Sequence, residues 1–262
     1  MKPAEFYAKY GPWAIVTGAS SGIGEEFCWQ LAGLKLNLIL VARRKEKLES
    51  LAKELMSKHG IETRVVPADL LRPDFLKQIR AVTDPLDIGL LVNNAGFALT
   101  GNFLDHKIED ELSLLYVNCR APLMLAHVFG NKMVRRGKGG IINISSASAF
   151  LPMPFWTNYS ASKVYNLYFS EGLWFELKGK GVDVLALCPG GTRTEFSKVA
   201  GTKSGGMEPA QVVELGLKKL GKQPVAIAGI SNQIISFMNR FFSRQLLTKI
   251  GARVVRGFMI HK

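Results

Sequence analysis

Tyr159 and Lys163 stand four residues apart in the run Tyr159-Ser160-Ala161-Ser162-Lys163, and Ser146 lies thirteen residues before the tyrosine. On a helix, positions four apart share one face, which would set a phenol beside an ammonium. A free phenol has a pKa of about 10 and exchanges protons poorly near neutrality. An adjacent positive charge favours the phenolate and lowers that value. The pair could then pass a proton at working pH, with the Ser146 hydroxyl holding the oxygen that receives it. The same spacing also arises by chance on a solvated helix face, so its meaning rests on what positions it.

The elements that must do so alternate. Residues 13–16, 36–41, 63–66, 88–92, 141–144 and 182–187 are short apolar runs and read as strands. Residues 22–33, 44–59, 72–82, much of 107–136 and 157–179 read as helices, the last carrying Tyr159 and Lys163. Such alternation predicts an α/β class: a Rossmann-like, doubly wound parallel sheet of about seven strands with helices on both faces. Strands that are apolar throughout fit burial on both sides. No repeat or linker marks a second domain.

The first strand runs into Thr17-Gly18-Ala19-Ser20-Ser21-Gly22-Ile23-Gly24, which opens a helix. Glycines there let the backbone turn tightly and approach a pyrophosphate, which the helix N-terminus favours. The spacing is Gly-x-x-x-Gly-x-Gly. At this point the chain resembles the short-chain dehydrogenase/reductase family, whose fingerprint is Thr-Gly-x-x-x-Gly-x-Gly. Later segments match in order: Asp69 and Leu70 after the third strand, Asn93-Asn94-Ala95-Gly96 after the fourth, and Asn118 in the long helix. Ser146 after the fifth strand, Tyr159 with Lys163, and Pro189-Gly190 with Thr192 and Thr194 after the sixth complete the set. The resemblance covers roughly residues 11–215.

The resemblance implies hydride transfer. Tyr159 would be the acid in carbonyl reduction and the base in alcohol oxidation, and Ser146 would orient the substrate oxygen. Lys163 would lower the Tyr159 pKa and hold the nicotinamide ribose, and Asn118 would place a water linking Lys163 to solvent. Gly18, Ser20, Ser21, Gly22, Ile23, Gly24, Asp69, Leu70, Asn94, Ala95, Gly96, Pro189, Gly190, Thr192 and Thr194 would surround the cofactor. In an extended run Ser145 and Ser146 point to opposite faces, and the offset to Tyr159 favours Ser146. The slot that holds an acidic residue in NAD sites is Ala42, followed by Arg43 and Arg44. Arginine matches phosphate geometry, so NADP(H) is expected with Arg43 as its contact, unless the two arginines only begin a solvated helix. Ser21 stands where some NADP-preferring relatives have a basic residue.

Phe97-Ala98-Leu99, the aromatic run 150–156 and Cys188 lie near the catalytic positions, pointing to a bulky apolar carbonyl/alcohol pair, of the steroid or 3-oxoacyl type that similar members of the family imply, unless these residues only form core or a subunit interface. Residues 195–207 are expected to form a lid. Of charged residues, Arg193 and Lys198 are the ones placed to meet an anionic substrate. A homodimer or homotetramer through the two long helices is the family's habit. The rival reading is a non-catalytic dinucleotide sensor or scaffold, against which the joint retention of Asn118, Ser146, Tyr159 and Lys163 argues.

The chain of 262 residues is 47% hydrophobic and carries a net charge of +13. Cys28, Cys119 and Cys188 sit among apolar neighbours and suggest buried thiols in a reducing compartment. His59, His106, His127 and His261 lack ligand spacing, so no metal is expected. No signal-like N-terminal run or span of about 18 uninterrupted apolar residues is seen, and a cytoplasmic location is expected. The positive charge is concentrated. After Glu214 no acidic residue occurs, while Lys218, Lys219, Lys222, Arg240, Arg244, Lys249, Arg253, Arg256 and Lys262 do. Residues 1–229 are read as the catalytic dinucleotide-binding domain and 230–262 as its basic amphipathic extension. Ile234, Met238, Phe241, Leu246, Ile250 and Val254 would form the apolar face of a helix broken near Gly251. Packing on the domain or another subunit, peripheral contact with an anionic membrane, and covering the substrate all stay open. Nucleic acid is not expected, since no recognised motif accompanies the charge.

Overall fold

Apolar strands and amphipathic helices pack in the order the alternation requires. The computed structural model describes residues 2–203 and 205–259. The chain begins with α1 (Pro3–Tyr10), β1 (Trp13–Thr17), α2 (Gly22–Gly33), β2 (Asn37–Ala42), α3 (Lys45–His59) and β3 (Thr63–Pro67). It continues with α4 (Phe75–Thr83), β4 (Ile88–Asn93), α5 (Ile108–Leu115), α6 (Ala121–Arg136), β5 (Gly139–Ile144), α7 (Thr157–Lys178) and β6 (Val182–Cys188). The single turn α8 (Phe196–Val199) precedes α9 (Pro209–Lys219), β7 (Val225–Ile227), α10 (Ile230–Met238) and α11 (Arg244–Phe258).

The seven strands form one parallel sheet in the order β3-β2-β1-β4-β5-β6-β7. Every residue of β1, β4 and β5 is buried, as a sheet covered on both faces requires. One face carries Phe27, Leu31, Leu48, Leu55 and Val213 from α2, α3 and α9. The other carries Phe75, Ile79, Leu125, Phe129 and Met133 from α4 and α6. Strand order reverses between β1 and β4, and such a switch point opens a crevice at the carboxyl ends of the strands.

Four differences from the sequence expectations have physical causes. Helix α1 was not anticipated. Its Phe6 and Tyr10 are buried, and the Tyr10 hydroxyl donates to Asp183 at 2.5 Å. The fourth helix starts at Phe75 rather than 72, because the Asp69 carboxylate accepts from the Leu71 amide at 3.0 Å and turns the chain first. The long helix is interrupted by a π turn at Tyr116–Arg120. Pro122 has no N–H to give the carbonyl of Asn118 four residues back, and that carbonyl instead accepts from the Asn166 side chain at 2.8 Å.

The last difference concerns the tail. The break falls at residues 239–243, not at Gly251, and α11 runs unbroken past it. A Cβ on Gly251 would lie 2.0 Å from the Pro152 carbonyl oxygen, so this glycine permits close approach rather than a bend. The buried face is Leu247, Gly251 and Val255, one position along from the expected Leu246, Ile250 and Val254, because the helix seats on Leu151 and Met153. The stretch Ile108–Arg136 has an 18-residue window of mean hydropathy 1.3, but its Leu125, Phe129 and Met133 are core residues of the sheet face. His261, Lys262 and Ser204 lie outside the described residues.

Candidate active site

The glycine turn joins β1 to α2 with Gly18 at φ +67° and Gly22 at φ +60°, a left-handed backbone that favours glycine. A Cβ on Gly24 would lie 2.2 Å from the Gly18 carbonyl oxygen, so α2 can start close behind the turn. The Thr17 hydroxyl accepts from the amides of Asn94 and Ala95 at 2.9 and 3.1 Å. The Asn94 side chain donates back to the Thr17 carbonyl at 2.9 Å. These bonds lock the ends of β1 and β4 together across the switch point.

A cavity of about 850 Å³ opens there. Gly18, Ser20, Ser21, Gly22, Ile23, Arg43, Asp69, Leu70, Asn94, Ala95, Gly96, Pro189, Gly190, Thr192 and Thr194 line one end, and Ser146, Tyr159 and Lys163 line its centre. Gly24 and Asn118 lie behind the wall. Arg193 pairs with Glu208 at 2.6 Å and, like Lys198, is not among the lining residues. The expectation that either faces a substrate is therefore corrected.

Tyr159, 6% exposed, is edge-on to Trp156 and near Phe196, with ring centroids 5.0 and 5.7 Å away. Burial pushes its phenol up to about 12, and a hydrogen bond with Ser146 draws it partly back. The Lys163 ammonium lies 5.6 Å from the Tyr159 ring centroid and donates to the Ile144 carbonyl at 2.9 Å. Burial pulls Lys163 down to about 8, against a smaller opposing pull from Cys119 and Cys188. Taking both groups out of water disfavours phenolate and ammonium alike, so burial opposes the lowering of the Tyr159 pKa expected from Lys163.

Ser145 turns away, its hydroxyl donating to the Lys163 carbonyl at 2.7 Å. The Ser146 oxygen faces the cavity and accepts from the Ser148 amide at 3.1 Å. Asn118 sits in the π turn, a form often found at functional sites. Its side chain clasps the Phe97 backbone, accepting from the amide at 3.1 Å and donating to the carbonyl at 3.0 Å, and donates to Ser162 at 3.1 Å. A Cβ on Gly96 would meet Asn118 at 3.0 Å and the Lys163 nitrogen at 3.4 Å, so glycine keeps the gap between them clear.

Behind the site runs a polar spine that sequence reasoning missed. Asn93 donates to Asn143 at 2.8 Å, Asn143 to Ser170 at 2.9 Å, and Ser170 to the Asn166 carbonyl at 2.6 Å. All four are buried. Each bond contributes about 1 kcal/mol net, while an orphaned partner would cost about 1–3 kcal/mol, so the spine fixes the register of α7 against β4 and β5.

At the end of β2, Arg43 and Arg44 both line the cavity, and Arg44 also binds the glycine turn. Its guanidinium donates to the hydroxyls of Ser20 at 3.0 Å and Ser21 at 2.8 Å, and to Glu195 at 2.7 Å. Lys47 donates to the other Glu195 oxygen at 2.9 Å. Hydrogen bonds from Arg44 and Lys47 hold the Glu195 carboxyl down to about 2. An anion thus already rests between two cations beside the glycine turn. Lys47, one helical turn past Arg44 on α3, was the available clue to this pair.

The opposite end of the cavity is apolar. Phe97, Leu151, Met153, Trp156, Phe196, Val254 and Phe258 line it. The Phe258 ring lies 4.8 Å from Trp156. The Lys203 amide donates to the Phe258 carbonyl at 2.8 Å, and Thr202 bridges Met259. The end of α11 thereby closes over the aromatic side of Tyr159.

A family model described as short chain dehydrogenase matches residues 12–204. The chain belongs to the short-chain dehydrogenase family. Its members are oxidoreductases that use a nicotinamide cofactor. The chain is 36% identical over 218 residues to a very-long-chain 3-oxoacyl-CoA reductase of Anas platyrhynchos, covering 81% of this chain and 70% of that protein. A solved 7β-hydroxysteroid dehydrogenase superposes with a TM-score of 0.87 at 29% identity, over 94% of this chain and 98% of that one. A short-chain dehydrogenase from Sphingobium yanoikuyae in complex with NADPH gives a TM-score of 0.80 at 33% identity, over 88% and 94%.

Proposed function

We propose that the protein is an NADP(H)-dependent reductase of bulky apolar ketones, of steroid or 3-oxoacyl type. The observation that carries the cofactor choice is the Arg44–Lys47 pair at the end of β2, already holding a carboxylate beside the glycine turn. The same donors suit a 2′-phosphate, and Ala42 presents no charge to repel it. The cofactor, when bound, supplies the hydride. Asp69, Leu70, Asn94, Ala95 and Gly96 would line the adenosine side, and Lys163, Pro189, Gly190, Thr192 and Thr194 the nicotinamide side.

Ser146 orients the carbonyl oxygen and Tyr159 gives it the proton. A phenol whose pKa lies near 12 is protonated at neutral pH, which is the form reduction needs. Asn118 and Gly96 keep the space through which a water would restore the proton by way of Lys163. The apolar end, from Phe97 to Phe258, suits a substrate with little charge and agrees in kind with the named substrates of the reductase and steroid dehydrogenase relatives. Exposed Tyr116, Tyr168 and Phe175 on the α5–α7 side support a homo-oligomer, which light scattering would measure.

NADPH oxidation against steroid ketones and 3-oxoacyl thioesters of graded length tests the reading. Turnover that rises with apolar bulk and favours NADPH over NADH is expected. Preference for small polar carbonyls, or for NADH, would overturn it.

A further inference from the structure

We propose that α10 and the start of α11 dock on an anionic lipid bilayer, through which apolar substrate reaches the cavity. Helix α10 reads ISNQIISFM, yet none of its residues is buried. Ile230 is 76% exposed, Phe241 67%, and Ile234, Phe237, Phe242 and Leu246 also face outward. An amphipathic helix without a partner for its apolar side needs one.

Charge selects the partner. No acidic residue follows Glu214, while Arg240, Arg244, Lys249 and Arg253 are interspersed with the apolar residues along the chain. The Arg240 guanidinium lies 5.8 Å from the Phe237 ring centroid, and the Phe237 and Phe241 rings are 5.6 Å apart. Apolar rings with basic heads beside them suit a negatively charged interface. A second copy of the chain fits less well, because a two-fold contact would set these basic segments against each other with no acid on either side.

The position also explains why a bilayer would matter. Asn232, Ile235 and Ser236 of α10 and Val254 of α11 line the cavity. The helix that faces outward with Ile230, Ile234 and Phe237 therefore faces the substrate chamber with its other residues. A ketone dissolved in lipid would meet the mouth without crossing water.

Co-sedimentation of the full chain with vesicles tests this, using phosphatidylcholine alone and phosphatidylcholine mixed with phosphatidylglycerol. The chain should bind the anionic vesicles and not the neutral ones, and added salt should weaken binding. Arg240→Glu with Arg244→Glu should lower the partition roughly tenfold or more. Phe237→Ser with Phe241→Ser should weaken it at low salt. All four side chains are exposed and outside the cavity lining, so unchanged NADPH binding certifies the fold of each variant. Equal binding to both vesicles, or none, overturns the proposal. So does light scattering in which the Phe237/Phe241 variant loses a dimer that the wild type forms.

A second observation stands apart from the first and rests on the NADP(H) reading. We infer that Glu195 occupies the 2′-phosphate position and must be displaced by it, since Arg44 and Lys47 both bind its carboxylate. Calorimetry with adenosine 2′,5′-bisphosphate and with 5′-AMP separates the two ideas. Glu195→Gln should bind the bisphosphate several-fold more tightly than wild type, with AMP binding unchanged. A wild type that does not distinguish bisphosphate from AMP contradicts the NADP(H) reading itself. A wild type that does, with no gain in Glu195→Gln, contradicts only the displacement.

Discussion

The two ends of the cavity are built on opposite physical plans. At the cofactor end, short polar side chains and backbone amides are fixed by rigid elements: Thr17 ties β1 to β4, and Arg44 ties α3 to the glycine turn. At the substrate end, large apolar side chains meet across the aromatic run 151–156 and α11. Directional hydrogen bonds tolerate almost no change in residue type or spacing. Apolar packing asks for volume and shape, which many sequences supply. The first plan therefore specifies one chemical group, and the second a range of shapes.

Five variants would break or sharpen that contrast. The largest effect belongs at the junction of the two ends. Tyr159→Phe should reduce turnover by about 10²–10⁴-fold while fluorescence titration shows NADPH still bound. The next falls at the cofactor end. Arg44→Ala should cut the preference for NADPH over NADH, measured as a ratio of kcat/KM values, by about tenfold or more, the worth of a hydrogen bond to a charged group. Arg43→Ala should change it less, because Arg43 makes none of the contacts to Ser20, Ser21 and Glu195 that Arg44 does.

At the substrate end, Gly251→Val would drive a side chain into the Pro152 carbonyl. Overpacking of this kind costs about 1–3 kcal/mol, and α11 should lift off Leu151 and Met153. KM for bulky ketones should rise with little change in NADPH affinity, and a parallel loss of NADPH affinity would mean the two ends are not separate. The smallest effect is a pH trend at Lys163. Its folded value of about 8 lies below the ordinary 10.5, so between those values the unfolded chain holds the extra proton. Stability should then rise with pH through that window, the full penalty being present below it. The Tm of wild type relative to Lys163→Met should climb as pH increases across the window, and a flat difference would contradict burial as the cause.

The same contrast explains what could be read in advance. The alternation of strands and helices and the positions of Ser146, Tyr159, Lys163 and the glycine turn follow from the residues, since each occupies a place where few other residue types serve. Arg43 and Arg44 both line the cavity, and the bonds of Arg44 to Ser20, Ser21 and Glu195 come from tertiary packing that the sequence does not display. The π turn is not legible in the sequence because it arises where Pro122 leaves the Asn118 carbonyl to the side chain of distant Asn166. The buried spine from Asn93 to Ser170 joins side chains far apart in sequence. The tail reads as amphipathic in the sequence, but Leu247, Gly251 and Val255 turn inward beside the apolar Leu246, Ile250 and Val254. Both Leu246 and Leu247 are apolar, and only Pro152 and its neighbours decide which turns inward.

Transfer of deuterium from 4-deuterated NADPH to a steroid ketone, followed by mass spectrometry of the alcohol, tests the central claim most directly. Labelled alcohol should form with the wild type, one equivalent per NADPH consumed, and should nearly vanish with Tyr159→Phe while that variant still binds NADPH. Label appearing equally with both proteins, or with neither across steroid and 3-oxoacyl ketones, would contradict the account.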